Sequence, residues 1–137
     1  MIIDFDKKYL YDVYKLGSLL NRDYSRLYDE ESLNNGVNKT FLYFLNDELI
    51  GFIHIQDLID EIDVINIVIN EENRRKGYAS KLIEHVINYA KDKKIILEVS
   101  DQNTSALNLY KKYNFIEINR RKGYYNGIDA IIMEKKW

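Results

Sequence analysis

An apolar run ending in Val64-Ile65-Asn66-Ile67-Val68-Ile69 is followed by a basic stretch, Asn73-Arg74-Arg75-Lys76-Gly77-Tyr78-Ala79-Ser80. Lys81 to Lys93 comes next, with Leu82, Ile83, Val86, Ile87 and Ala90 at helical spacing. A second apolar run, Ile95 to Val99, closes the unit. A helix between two strands of one sheet carries the chain back to its starting edge, so these two strands must lie parallel. The turn between strand and helix is the chemically distinctive part. The first amides of a helix have no partner inside it, and the helix dipole places partial positive charge there. Gly77 and Ala79 leave room for a ligand to approach the main chain. Arg74, Arg75 and Lys76 raise the local positive potential. The stretch reads as an anion site fit for a pyrophosphate, or as a basic turn capping an ordinary surface helix. It carries neither the P-loop spacing nor the Gly-x-Gly-x-x-Gly dinucleotide pattern.

The rest of the chain supplies a sheet for this unit. Met1 to Phe5 reads as a short strand. Lys7 to Leu20 reads as an amphipathic helix with Asp6 as its N-cap. Asn21 to Asn38 is polar and reads as a loop with a short helix around Glu30 to Asn34. Such a loop suits substrate contacts or serves as a plain connector. Thr40 to Leu45, Leu49 to Leu58 and Asp63 to Ile69 read as an antiparallel meander, turned at Asn46-Asp47-Glu48 and Asp60-Glu61. Asn103 to Tyr113 reads as a helix with Ala106, Leu109, Tyr110 and Tyr113 along one side, ended by Asn114 in a left-handed cap. Ile116 to Lys122 and Ile128 to Lys135 close the chain as a hairpin around Tyr124-Tyr125-Asn126-Gly127. The expected fold is α/β: a mixed, twisted central sheet of six to seven strands flanked by about four helices.

Composition narrows the function. At 137 residues a single domain spanning 1–137 is expected. A formal net charge of −2 and an isoelectric point near 5.7 argue against a nucleic-acid partner. No apolar run is long enough to cross a bilayer and no signal-peptide pattern opens the chain, so no membrane partner and a cytoplasmic location are expected. The absence of cysteine excludes disulfides, thiolate metal sites and an acyl-cysteine intermediate. No metal is expected.

Arg74-x-x-Gly77-x-Ala79 resembles the Arg/Gln-x-x-Gly-x-Gly/Ala signature of the GNAT superfamily of acyl-CoA N-acyltransferases, and the order of elements is similar to that fold over nearly the whole chain. Between Asp60 and Met133 the likeness is closer. Asn66-Ile67-Val68-Ile69, Arg74 to Ala79, Leu97-Glu98-Val99, Asn103, Ala106, Leu109-Tyr110, Phe115, Arg120-Arg121, Tyr124-Tyr125 and Asp129 to Met133 resemble the RimI family. Those enzymes acetylate the N-terminal alanine of a ribosomal protein.

The resemblance implies acetyl-CoA as co-substrate, bound by the main chain of Ile67, Val68 and Ile69 and by the phosphate turn from Arg74, Arg75 and Lys76 through Gly77, Tyr78, Ala79 and Ser80. It implies that Asn103 hydrogen-bonds the CoA arm, that Glu98 is the general base and that Tyr110 is the general acid. Residue chemistry bears on the same positions. A lone carboxylate within an apolar strand is costly unless partnered or functional, so Glu98 is either a site residue or an outward-facing strand residue. Tyr110 lies on an apolar stripe, where periodicity alone favours a core aromatic, and the motif Asn103-x-x-Ala106-x-x-Leu109-Tyr110 favours the acid. Parallel strands that part at their C-terminal ends open a groove for ligands, and an extended arm there satisfies the freed backbone groups. A strand amide near Val68 is the expected donor to the tetrahedral oxyanion. Four residues differ from those usual in RimI-like sequences: Ser100 for Arg, Gln102 for Ser, Asn114 for Gly and Ile128 for Glu. Ser100 and Ile128 fall on the expected acceptor side. The favoured acceptor is a protein N-terminus. The alternatives are a small amine such as a polyamine or amino sugar, and a CoA-binding module without catalysis. A monomer or homodimer is expected.

Overall fold

The computed structural model describes all 137 residues. One seven-stranded sheet runs through the molecule. Its strands are β1 (Ile2–Asp4), β2 (Asn38–Leu45), β3 (Glu48–Asp57), β4 (Glu61–Ile69), β5 (Lys94–Ser100), β6 (Phe115–Tyr125) and β7 (Ile128–Lys135). They lie in the order β1-β2-β3-β4-β5-β7-β6. Every neighbouring pair is antiparallel except β4 and β5. That exception is the pair joined by a helix, as the crossover demands. The mixed α/β architecture stands as expected, with five α-helices in place of about four: α1 (Leu10–Gly17), α2 (Tyr24–Leu27), α3 (Glu30–Leu33), α4 (Tyr78–Ala90) and α5 (Thr104–Lys112). No helix is long and apolar enough to cross a membrane.

Local chemistry explains the turns. Asn46 and Asp47 both take positive φ (51° and 66°), as do Asn126 and Gly127 (50° and 91°). Two left-handed residues in succession twist a tight hairpin to match its strands, and Asn, Asp and Gly tolerate them best. Asn114 (φ 65°) ends the last helix as a left-handed cap.

The helix expected over Lys7 to Leu20 is shorter. A 3₁₀ turn at Lys7–Tyr9 precedes it, with the Asp6 carboxylate accepting from the Lys8 amide at 3.0 Å. The helix stops at Gly17, where an added Cβ would overlap the Tyr24 ring. That close approach folds Asn21 to Asn38 back over the sheet, where it forms two short helices rather than one. The crossover helix starts earlier than expected, at Tyr78 rather than Lys81. Gly77 (φ 88°) is its N-cap, so the end of the basic stretch forms the first helical turn.

Each face of the sheet has its own core. Leu82, Ile83 and Val86 of α4 pack against Ile53, Ile62, Leu97 and Met133 on one face. Val13, Tyr24 and Leu33 pack against Leu42, Phe52 and Val68 on the other. Each such aliphatic side chain stabilises the fold by about 1.5–3 kcal/mol through its removal from water. Pairing between β4 and β5 stops early, at Asp63↔Ile96. Just beyond, Ile65 is left out of register between Val64↔Ile55 and Asn66↔His54. A bulge bends its strand and re-aims the residues beyond it. From here β4 stays with β3 while β5 stays with β7, and the sheet opens.

Candidate active site

The opening is a groove of about 810 Å³. One wall is the stretch from Val64 to Ile69, the other Leu97 to Ser100, and the basic turn with the start of α4 closes one end. Of the residues expected to bind or react, Ile67, Val68, Ile69, Arg74, Arg75, Gly77, Tyr78, Ala79, Ser80, Glu98, Asn103 and Tyr110 all line it. Lys76 does not; it is exposed at the outside of the turn. A second cavity of about 890 Å³, between α5 and the β6–β7 hairpin, holds none of these residues.

The turn presents backbone donors to the groove. Arg75 (φ 64°) and Gly77 (φ 88°) are both left-handed. Alternation of hand over such a short stretch turns successive amides toward a common point, the geometry of an anion nest. The amides of Gly77, Tyr78, Ala79 and Ser80 find no backbone acceptor, and no side chain caps the helix. Nothing lies within 4 Å of a Cβ built on Gly77. Arg74 has a structural task as well, since its Nε donates to the Ile69 carbonyl at 3.0 Å and pins the turn to the end of β4. An extended pantetheine arm and a pyrophosphate fit this combination of unpaired strand edge and uncapped helix.

Asn103 is the N-cap of α5. Its Oδ1 accepts from the Ala106 amide at 3.2 Å, which leaves the Nδ2 donors for the groove. Tyr110 meets both readings of its helical stripe. Its ring belongs to the core, 5.8 Å from Phe115, yet it also lines the groove. Burial pushes its phenol up to about 12, because the charged phenolate would lose hydration. It therefore holds its proton throughout the neutral range.

Glu98 is the one carboxylate lining the groove. Leu97 and Val99 are buried on the α4–α5 side, so strand alternation sends Glu98 to the other face. There it is partnered: the Tyr125 hydroxyl donates to Oε1 at 3.0 Å, and Arg121 Nε lies 3.4 Å from Oε2. The sequence assigns neither partner to Glu98. It shows Tyr125 and Arg121 only within a basic, aromatic hairpin, and no local spacing links Tyr125 to a residue 27 positions away. Strand register brings Arg121 within reach, and Tyr125 follows beyond the irregularity in β6 between Arg121 and Tyr125. Ser100 pairs with Ala130, and Ala130 pairs with Arg121. Arg120 is held elsewhere, by Asp129, Glu117 and Asp101. Of the positions that differ from RimI-like sequences, Ser100 lines the groove and Ile128 is exposed at the hairpin tip.

Neither histidine competes for the role of base. His54 is buried, its ring pushed down to about 4 by desolvation, with Nε2 2.8 Å from Asn38 Oδ1. His85 packs on Phe41. Neither lines the groove.

Known proteins resemble this chain in sequence and fold. The model of the Acetyltransferase (GNAT) family matches residues 7–115. The chain is 31% identical over 125 residues to a [ribosomal protein bS18]-alanine N-acetyltransferase of Haemophilus ducreyi, covering 79% of this chain and 86% of that one. It is 28% identical over 133 residues to an N-alpha-acetyltransferase of Sulfolobus acidocaldarius, covering 85% and 79%. The crystal structure of the ribosomal-protein-S18-alanine N-acetyltransferase from Escherichia coli superposes with a TM-score of 0.88 at 25% identity, over 98% of this chain and 92% of that one. With most of its length matched by that family model and by a relative 31% identical, the chain belongs to the GNAT family of acetyltransferases.

Proposed function

We propose that this chain transfers an acetyl group from acetyl-CoA directly to the N-terminal α-amine of a protein, a ribosomal protein being the favoured acceptor. One observation carries the reading: a single groove runs from an uncapped helix N-terminus, along a parted strand edge, to one carboxylate and one buried phenol. The names borne by the relatives point to the same class of acceptor.

Acetyl-CoA supplies an acetyl group activated as a thioester. The backbone of Ile67, Val68 and Ile69 pairs with its arm, Asn103 donates to that arm, and the amides from Gly77 to Ser80 with Arg74 and Arg75 hold its pyrophosphate. Glu98 takes a proton from the acceptor's ammonium group, directly or through a water. An α-amine titrates near 8, so about a tenth of it is already neutral at pH 7 and a weak base suffices, whereas a lysine near 10.4 would ask more of it. The freed amine attacks the thioester carbonyl. As the C–N bond forms and the C–S bond breaks, Tyr110 gives its proton to the departing sulfur. A thiol of pKa about 8.5 needs only a weak acid for this. The second proton of the nitrogen passes to water, from which Tyr110 is reprotonated.

The test is acetyl-CoA-dependent thiol release with two acceptor panels. One holds peptides with free N-terminal Ala, Ser or Gly; the other holds polyamines and amino sugars. Mass spectrometry locates the acetyl group. Acetylation at the α-amine of an Ala peptide is expected. Turnover confined to small amines would overturn the protein-acceptor reading and leave the cofactor groove intact.

A further inference from the structure

Both oxygens of Glu98 are occupied by β6, an edge strand of the sheet. The two contacts differ in kind. The Tyr125 hydroxyl is at 3.0 Å, in hydrogen-bond range of a carboxylate that it reaches from the groove wall. Arg121 Nε is at 3.4 Å, its side chain half exposed and stacked 4.6 Å over the Tyr124 ring. A directional bond to one oxygen fixes the rotamer of the carboxylate, while a loose, hydrated ion pair is worth little and exchanges readily. Around them lie Ile96 and Ser100 of β5, and Ala130, Ile132 and Glu134 of β7, of which only Glu134 is charged, and it pairs with Lys94. Among these neighbours of Glu98, Arg121 is the one cation, and it is weakly held.

We propose that Tyr125 is a positioning residue that aims Glu98 into the groove, and that Arg121 is a stand-in cation which the acceptor's ammonium group replaces. The inference rests on the reading of Glu98 as the base. Tyr125 cannot itself be that base at neutral pH. Burial and its bond to Glu98 push its phenol up to about 12, so it remains a donor. On arrival, an ammonium group meets a carboxylate already oriented by one oxygen and offered by the other. Arg121 then moves off toward solvent, still supported by Tyr124. This also makes the acceptor class cationic at the reacting end, since a neutral nucleophile has no means of displacing a guanidinium.

The experiment is a double-mutant cycle on purified enzyme with an accepted amine substrate. Tyr125→Phe is expected to lower kcat about tenfold, with KM for acetyl-CoA unmoved and the melting temperature retained. In a Glu98→Gln background the same change should cost nothing further, because there is no base left to aim. Arg121→Gln should lower KM for the acceptor several-fold by removing a competitor, and Arg121→Lys should restore it. Equal losses from Tyr125→Phe in both backgrounds would show that Tyr125 acts on the acceptor rather than through Glu98, and would overturn its positioning role. A rise in acceptor KM in Arg121→Gln would overturn the exchange. Wild-type turnover in Glu98→Gln would instead remove the base assignment, a failure distinct from the other two.

Discussion

Replacing Gly77 by Asp should separate cofactor binding from folding. Gly77 is left-handed at φ 88°, a conformation that Asp adopts more easily than most residues, so the backbone strain is about 1 kcal/mol. No heavy atom lies within 4 Å of a Cβ at this position, so there is no clash to add. A carboxylate at a helix N-terminus also interacts favourably with the dipole, which offsets part of the strain. The melting temperature should therefore move by only a few degrees. The effect on CoA is different in size. Two unit charges about 5 Å apart repel by about 3 kcal/mol at the effective dielectric of a protein surface groove. The new carboxylate also competes for the amides of Tyr78, Ala79 and Ser80, which have no backbone acceptor of their own. Affinity should fall about 150-fold, at 1.4 kcal/mol per factor of ten. Titration calorimetry with CoA at two salt concentrations measures this, with Gly77→Asn as the uncharged control of the same shape. Equal affinity for wild type and Gly77→Asp would mean that the pyrophosphate lies elsewhere. A Gly77→Asn protein as weak as Gly77→Asp would mean that bulk, not charge, is at work.

Three further outcomes are expected. Tyr110→Phe should lower kcat about a hundredfold, with little change in KM for acetyl-CoA, because it removes a proton donor and leaves the groove's shape; an unchanged kcat in steady-state assays would exclude Tyr110 as the acid. Gly17→Ala should destabilise the fold by about 1–3 kcal/mol, because its Cβ overlaps the ring of the fully buried Tyr24, and a melting temperature equal to wild type would refute that packing. Asp63 has a buried, unpaired Oδ1, and burial together with Glu61 pushes its carboxyl up to about 7. The folded state thus holds this proton more tightly than the unfolded chain, where the group titrates near 3.8. The stability this group contributes is complete below that value and is lost as pH rises through about 7. Asp63→Asn should therefore stabilise the protein by about 1 kcal/mol at pH 8, allowing for solvent screening of a partly exposed side chain, and change little at pH 4. Thermal melts at both values check this, and an equal effect at the two would refute it.

Much of the fold was legible because it is set by short-range chemistry. Apolar periodicity marked the strands and the crossover helix. Asn46-Asp47 and Asn126-Gly127 marked hairpins because few other residues accept two positive φ angles in a row. The parallel pairing of β4 and β5 followed from the helix between them, and the left-handed Gly77 at the start of that helix followed from its place beside the basic stretch. What lay beyond the sequence involves contacts between distant segments. The length of α1 is set by Tyr24 packing on Gly17, not by the periodicity of the helix itself. Tyr110 is at once a core residue and a groove residue because the sheet opens beside it, and the bulge at Ile65 that accompanies this opening shows only in the register with β3. Most of all, the sequence shows Glu98 as a lone carboxylate in an apolar strand. Tertiary structure supplies Tyr125 and Arg121 to it across β7, because strand pairing brings together residues that no local propensity connects.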